Sequence, residues 1–264
     1  MVKPLACYCN NSSVIFIVHS ANFNFGRRQY IRQTYGSFEE QHRYSTCVYF
    51  ALGISLDKEI QRRMEHESKQ FRDILLADFL DSYKNITMKA LSWLRFVRDH
   101  CTSTQTVVKL DDDVLVNIRE LFWRLGRLRA PKSIYGLVWH KQIVRRWSTS
   151  KWFVPYSVFP FDVFPDYMSG SAYIINIDLI PAIVTEAETW PVYIHIDDLF
   201  ITGMVAGRVG ANLHSRDKWY GLSENGTELE DGKVIFGLLS ERDDPIKIWR
   251  AIQKLPRSRK IFEY

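Results

Sequence analysis

Short apolar runs alternate with longer amphipathic segments along this chain, and this alternation is its main structural signal. The run "SVIFIVHS" at 13–20 is typical of a buried strand, and "CVYFALG" at 47–53 and "TVVKL" at 106–110 repeat the pattern. Between them, "NITMKALSWLRFVRDHC" at 85–101 carries a broad apolar stripe, which predicts a helix well covered by the rest of the domain. Strands that alternate with helices predict an α/β fold.

The same pattern continues towards the end of the chain. The aromatic-rich stretch 139–176 interrupts it, and we predict loops and a hairpin there. The other predicted elements are strands at 73–79, 133–138 and 232–239, and helices at 26–36 (closed by Gly36), 56–71, 118–128, 177–188, 197–210 and 244–254.

Composition narrows the class of protein only a little. Of the 264 residues, 46% are hydrophobic and 25% are charged, which excludes a disordered chain. The net charge of +5 is too small and too scattered to indicate nucleic-acid binding. No apolar run approaches the roughly 20 residues of a membrane-spanning helix. Four cysteines, whose pairing stays open, and four glycosylation sequons weakly favour the secretory pathway; the sequons are at Asn10, Asn11, Asn85 and Asn225.

Three adjacent aspartates follow the strand at 106–110. If the chain stays extended there, Asp111 and Asp113 point to one side and Asp112 to the other. Two carboxylates at the carboxyl end of a buried strand suit a hard divalent cation such as magnesium, calcium or manganese. The alternative is that these residues only form a turn and cap the next helix.

Five motifs, in order and at similar spacing, resemble the β-1,3-galactosyltransferase and β-1,3-N-acetylglucosaminyltransferase family. The resemblance extends from about Val14 to Trp249. Its motifs are "RRQYIRQTYG" at 27–36, the segment from "EHESKQF" to "RFVRDHC" at 65–101, "VKLDDDVLVN" at 108–117, "FPDYMSGSAYIIN" at 164–176 and "IDDLFITG" at 196–203.

The resemblance implies a GT-A type nucleotide-diphospho-sugar transferase fold, with a mostly parallel central sheet flanked by helices. It also implies an inverting hexosyltransferase that moves galactose or N-acetylglucosamine from a UDP-sugar to a glycan hydroxyl, with a manganese ion on the donor's diphosphate. Asp111 and Asp113 would hold the metal, and Asp113 would be the most direct ligand. The residues implied on the donor side are Arg28, Arg32, Asp81, Tyr83, Asn85, Lys89, Asp111 and Asp112.

The late acidic motif implies the catalytic base. Transfer with inversion needs a carboxylate to take the proton of the acceptor hydroxyl, and the family match gives this role to Asp198. Its other interpretation, as the cap of a helix beginning at Leu199, is compatible with that role. The residues implied on the acceptor side are Trp152, Tyr167, Ser169, Gly170 and Asp197.

Several of these residues also have ordinary structural explanations. Arg28 and Arg32 could lie on a solvated helix face, where they would contact neither phosphate nor uracil. Asn85 is also a sequon, and Trp152 is equally explained by packing.

The chain departs from the family in two places. The late strand lacks the family's metal-binding His; Leu238 stands near that position, and His214 lies well before it. The family's Cys after the acidic motif is replaced near Val205, so Cys101 would lack a partner. The missing His leaves a second hypothesis open, a catalytically silent relative that binds nucleotide-sugar or glycan.

The resemblance also suggests an organisation and a location. We expect a remnant of a stem at 1–13, one catalytic domain at 14–254 and a tail at 255–264. Family members are usually lumenal Golgi membrane proteins, so the expected membrane contact is through an anchor absent from this chain. The expected partners are UDP-galactose or UDP-N-acetylglucosamine and a glycan acceptor on protein or lipid.

Overall fold

A computed structural model describes Cys9 and residues 12–128, 130–221 and 227–255. The expected stem at 1–13 and tail at 255–264 lie almost wholly outside these residues, as do the sequons at Asn10, Asn11 and Asn225. The domain boundaries therefore stay predictions.

A seven-stranded sheet forms the centre of the described part, in the order β3-β2-β1-β4-β7-β6-β8. Four of its pairings are parallel, and the two that involve β7 are antiparallel. A small sheet, β5-β10-β9, accompanies it. The strands are β1 (Val14–His19), β2 (Thr46–Ile54), β3 (Ile74–Leu80), β4 (Thr106–Asp111), β5 (Val114–Val116), β6 (Ser133–Trp139), β7 (Tyr167–Asn176), β8 (Asn212–Ser215), β9 (Tyr220–Gly221) and β10 (Phe236–Leu238).

Helices cover both faces of the large sheet, so the predicted α/β class with a mostly parallel sheet is confirmed. A π-helix at Leu199–Val205 leads into α7, and short 3₁₀ turns lie at Tyr83–Asn85, Ile177–Leu179 and Asp217–Trp219. The α-helices are α1 (Phe25–Gln33), α2 (Phe38–Tyr44), α3 (Lys58–Phe71), α4 (Ile86–His100), α5 (Ile118–Leu125), α6 (Ile180–Ala187), α7 (Ala206–Arg208), α8 (Thr227–Glu230) and α9 (Pro245–Lys254).

The alternation of side chains along β1 divides the core into two layers. Ile15 and Ile17 pack on one face with α4, α6 and the π-helix. Phe16 and Val18 pack on the other face with residues of α1, α5, α9 and the small sheet. Every residue of β1 is buried, as expected of a central strand covered on both sides. This rigid centre fixes the positions of the loops at the carboxyl ends of β1 and β4.

Three local predictions are wrong. The helix of the first motif ends at Gln33, not at Gly36, whose N–H donates to the Ile31 carbonyl in a turn. The stretch 139–176 contains the ten-residue strand β7, which Ser169, Gly170 and Ser171 conceal because they dilute its apolar pattern. Strands β5, β8 and β9 were also missed.

The disulfide bond between Cys9 and Cys101 corrects another expectation. It joins the start of the described chain to the end of α4, so Cys101 does not lack a partner. No described cysteine is free. The pairing depends on the tertiary fold, which cysteine spacing alone does not reveal.

Candidate active site

A cavity of about 440 Å³ lies where the end of β4 meets β7 and the approach to the π-helix. Its lining combines three acidic side chains, those of Asp111, Asp197 and Asp198, with the cations of Lys109, Arg145 and Lys151. Exposed aromatic side chains complete the wall, including Trp139, Trp152 and Tyr83. We call this cavity the acidic pocket. Acidic groups beside aromatic faces suit a sugar, which offers hydroxyl groups and an apolar ring face.

Asp198 is held at the bottom of this pocket by two backbone groups. The Leu199 N–H donates to its Oδ1 at 2.8 Å, and the Gly170 N–H donates to its Oδ2 at 2.9 Å. The structure also confirms that Asp198 caps the π-helix. A Cβ atom on Gly170 would lie 2.9 Å from Oδ2, so the absence of a side chain there permits this contact.

Burial raises the pKa of Asp198 above its ordinary value, and the negative charge of Asp197 raises it further. The N–H of Leu199 and the charge of Lys109 act in the opposite direction. A carboxyl group with a raised pKa is a stronger base when it is ionised, which is the property that the proposed role requires.

Lys109 is the counter-charge of the acidic pocket. It is completely buried, and its Nζ donates to Asp111 Oδ1 at 2.6 Å and to the Gly170 carbonyl. Burial lowers its pKa, but the charges of Asp111 and Asp197 outweigh that effect and raise it. Burial is also the main reason why the pKa of Asp111 rises to about 6. Sequence analysis did not single out Lys109, although a lysine inside a Val-rich strand is itself a signal.

Asp197 lies beside a buried histidine that sequence analysis also missed. The indole Nε1 of Trp93 donates to His19 Nε2 at 2.8 Å, so a neutral His19 carries its proton on Nδ1. Burial lowers the pKa of His19 and keeps the ring neutral. Its Nδ1 lies 3.5 Å from Asp197 Oδ2, which is long for a hydrogen bond. Burial raises the pKa of Asp197 as well.

The aspartate triplet does not stay extended. Strand β4 ends at Asp111, and Asp112 and Asp113 form a turn before β5. Asp112 accepts hydrogen bonds on both oxygens: Arg27 Nη1 is 2.8 Å from Oδ1, and Ser20 Oγ and Asn24 Nδ2 are 2.7 and 2.9 Å from Oδ2. Its side chain is 7% exposed, whereas that of Asp113 is 40% exposed. The triplet thus faces two environments, the acidic pocket and the start of α1.

Both arginines expected at the donor are engaged inside the protein. Arg28 is completely buried, and its guanidinium binds Glu67, Ser20 and the carbonyls of Ala21 and Asn22. The interpretation of Arg28 as part of a solvated helix face is therefore wrong, and its role on the donor side stays a prediction. Arg32 forms ion pairs with Glu67 at 2.7 Å and with Asp73 at 2.7 Å. Glu67 lies in α3 and Asp73 follows that helix, so the ion pairs of the two arginines hold α1 against α3.

The segment at 81–89, which includes the start of α4, supplies a buried ion pair beside the loop that follows β1. Lys89 Nζ lies 2.9 Å from Asp81 Oδ1 and donates to the Ser20 carbonyl at 2.6 Å. Asn85 donates to the Leu80 carbonyl at 2.9 Å. Tyr83 lines the acidic pocket, where burial raises its pKa to about 12. Of the four donor-side residues in this segment, Tyr83 lines the pocket, and Asp81, Asn85 and Lys89 shape the loops around it.

Most of the residues predicted on the acceptor side line the acidic pocket. Trp152, Tyr167, Gly170 and Asp197 all line it. Ser169 is buried, and its hydroxyl pairs with Ser171 at 3.1 Å. The exposed ring of Trp152, with Lys151 Nζ 4.3 Å from its centre, offers a face on which a sugar ring can stack.

The residues present do not fit the expected metal site. Asp112 is fully engaged, Asp111 Oδ1 is bound to Lys109, and Asp113 Oδ2 lies 3.4 Å from Arg27 Nη1, so each carboxylate of the triplet already has a cation of the chain beside it. Leu239 N–H donates to the Asp113 carbonyl at 2.8 Å and continues the register in which Leu238 faces Val114. An aliphatic side chain thus occupies the position opposite Asp113. Nowhere in the described residues do three His, Cys, Asp or Glu side chains gather as a metal site.

His214 does not replace the missing ligand. Its Nε2 lies 3.0 Å from Ser133 Oγ, and its ring stacks on Tyr135 with the centres 4.7 Å apart. It thus lies on β8 at the edge of the large sheet, where it packs on β6.

Sequence comparisons place this arrangement in a known family. The family profile described as galactosyltransferase matches residues 26–217, so the chain belongs to that family. It is 32% identical over 213 residues to a lactosylceramide 1,3-N-acetyl-beta-D-glucosaminyltransferase A of Xenopus laevis. It is 28% identical over 211 residues to beta-1,3-galactosyltransferase 1 of Homo sapiens.

These alignments cover more of this chain than of its relatives. They span 76% and 79% of this chain but 56% and 64% of the two relatives. Among solved structures, a glycosyltransferase involved in the glycosylation of the major capsid of PBCV-1 aligns with 91% of this chain and 100% of its own, with a TM-score of 0.45 and 10% identity. At that distance the assignment of the fold rests on the sheet described above.

Proposed function

We propose that this protein is an inverting hexosyltransferase that uses a UDP-sugar, either UDP-galactose or UDP-N-acetylglucosamine, and forms a β-1,3 linkage to a glycan. The observation that carries the proposal is Asp198, a half-buried carboxylate held by two backbone N–H groups in a pocket lined by aromatic side chains. Membership of the galactosyltransferase family supports the class of reaction.

The proposed reaction is a single displacement. Asp198 takes the proton of the acceptor hydroxyl while the oxygen of that hydroxyl forms a bond to the anomeric carbon of the donor. The bond between that carbon and the phosphate oxygen breaks, and UDP leaves with the bonding electrons. Asp198 contributes the base, and Lys109 keeps positive charge beside the carboxylates. Trp152 and Tyr167 offer faces for the acceptor.

Manganese is not part of this proposal. The family resemblance implies a manganese ion on Asp111 and Asp113, but the ligands described above do not form such a site. The proposal therefore concerns the transfer step and the residues that carry it.

The test is transfer from UDP-galactose and from UDP-N-acetylglucosamine to simple β-linked acceptors, in parallel with binding of UDP by calorimetry. Turnover of either donor is expected. A protein that binds UDP but transfers neither sugar to any acceptor would instead be the silent nucleotide-binding relative. That second function is favoured by one observation, the leucine opposite Asp113. Absence of both binding and transfer contradicts both proposals.

For location we propose the lumenal side of the Golgi. The disulfide bond between Cys9 and Cys101 supports an oxidising compartment. Among the described residues, no helix has the length and apolar character needed to cross a bilayer. Peptide mapping of the protein secreted from animal cells, without reduction, is expected to recover the Cys9–Cys101 linkage. A free thiol at Cys101 would remove this support.

A further inference from the structure

We propose that Arg27 brings the positive charge that a metal ion would otherwise supply to the donor's diphosphate, so that this protein binds a nucleoside diphosphate without a divalent cation. The inference rests on the proposed function, because it concerns the donor side of the same site. It assigns a ligand contact to a residue for which sequence analysis gave none.

Arg27 stands against the carboxylates of the triplet. It lies in the first turn of α1, where its Nη1 is 2.8 Å from Asp112 Oδ1 and 3.4 Å from Asp113 Oδ2. A guanidinium group stays charged under all ordinary conditions. The carboxylates of Asp112 and Asp113, which would otherwise attract a metal ion, therefore already have a positively charged side chain of the protein beside them.

This guanidinium is still able to bind a ligand. The side chain of Arg27 is 37% exposed, whereas its neighbour Arg28 is completely buried. In the described part of the chain only Nη1 of Arg27 makes a hydrogen bond, so Nε and Nη2 remain available. Their planar arrangement matches two oxygens of a phosphate group, and such charge-assisted pairs are stronger than neutral hydrogen bonds.

The start of α1 adds further N–H donors beside Arg27. Asn24 precedes the helix, but its side chain does not cap the first turn; its Nδ2 donates to Asp112 instead. The Phe25 N–H donates to the Phe23 carbonyl at 3.0 Å, and the other N–H groups of the first turn carry their partial positive charge without a capping side chain. Arg27 and this helix end together form a site for an anion beside Asp113.

The alternative of a metal at this position is disfavoured by the ligands. Each carboxylate of the triplet already lies beside a cation of the chain, since Asp113 Oδ2 is itself 3.4 Å from Arg27 Nη1. Asp111 and Asp112 are held at 2.6 and 2.8 Å by Lys109 and Arg27. Leu239, opposite Asp113, has no donor atom in its side chain.

The experiment measures UDP binding by calorimetry, with the whole chain, once in EDTA and once in manganese chloride. The wild-type protein is expected to bind UDP with similar Kd in both. Arg27→Gln is expected to weaken binding in EDTA by about tenfold, because it removes charge-assisted hydrogen bonds. The matched control is Arg62→Gln, which removes the same charge from an arginine that is 77% exposed and pairs with Glu59 in its own helix. Unfolding temperatures show that both variants fold.

Two results would overturn the inference and leave the proposed function intact. One is a wild-type protein that binds UDP in manganese but not in EDTA. The other is an Arg27→Gln protein that binds UDP in EDTA as tightly as the wild type and the Arg62→Gln control. Absence of UDP binding in both solutions contradicts the proposed function itself, and the inference with it.

Discussion

The carboxylate of Asp198 accepts hydrogen bonds from the N–H groups of Leu199 and Gly170, and it lies half-buried next to Asp197. The N–H groups favour its ionised form, and burial with the neighbouring charge disfavours it. Burial is the larger effect, so the pKa is raised. The residue thus combines a fixed position with a raised affinity for a proton, which are the two requirements of a general base.

The raised pKa predicts the direction of the pH dependence. Asp198 acts as a base only when it is ionised, so the transfer rate falls as the pH drops through its pKa. The acid limb of the kcat profile is expected above the value of about 3.9 of an unperturbed aspartate. Asp197→Asn removes a charge that raises this pKa, so the limb is expected to move to lower pH. A limb that stays in place or moves upward contradicts the assigned cause.

Gly170 offers a test of how closely the base must be positioned. In Gly170→Ala the new Cβ would meet Asp198 Oδ2 at 2.9 Å and displace it. We expect kcat to fall by about a hundredfold, because small displacements of reacting groups are costly, and UDP binding to change little. The control is Gly207→Ala, where nothing lies within 4 Å of the added atom. Equal kcat values for the two variants would show that the contact is unimportant.

Individual residues show where sequence reasoning stopped. The motifs pointed to Asp111, Asp197, Asp198 and Gly170 separately, and the structure places all four in the lining of one pocket. The environment of Arg28 could not be predicted, because its partner Glu67 comes from a different helix and is 39 residues away. Ion pairs of this kind depend on how α1 packs on α3, and a helical spacing of four residues cannot reveal it.

At the scale of elements, hydrophobic periodicity located most of the regular structure. It predicted β1, β2, β4 and α4 because each is continuously apolar or carries a wide apolar stripe. It missed β7, because the Ser-Gly-Ser sequence near the pocket interrupts the apolar pattern of that strand. The short strands β5, β8 and β9 were missed because three, four and two residues are too few to show a period.

The pairing of β5 with β10 leads to a prediction about metal binding. The register places residue 239 opposite Asp113, and opposite residues of an antiparallel pair point to the same face. Leu239→His therefore adds an imidazole beside the accessible carboxylate. We expect manganese to tighten UDP binding to this variant but not to the wild type, as measured by calorimetry. The comparison variant is Leu239→Asn, which adds polarity without a good ligand for manganese.

If manganese has no effect on the Leu239→His protein, the position opposite Asp113 is not the one where the missing ligand would act. UDP binding to the wild-type protein, measured in the same experiment, is the reference, because there the proposed positive charge comes from Arg27.

Across the whole molecule, the large sheet separates two layers of core and brings the functional loops to one region. β1 and β4 are parallel neighbours, so the loop after His19 and the turn after Asp111 meet at their carboxyl ends. The antiparallel strand β7 then adds Gly170 beside β4, and the segment before the π-helix adds Asp198. One assembly of distant segments therefore holds the proposed base, its counter-charge and the proposed diphosphate contact.

The most direct test of the account is the single-turnover rate of sugar transfer by Asp198→Asn, measured with UDP binding on the same protein. Asparagine keeps the size of the side chain but cannot take a proton. We expect transfer to fall by about a thousandfold, within the range for loss of a general base, while the Kd for UDP stays close to that of the wild type. An Asp198→Asn protein that binds UDP normally and transfers sugar at the wild-type rate would contradict the central claim.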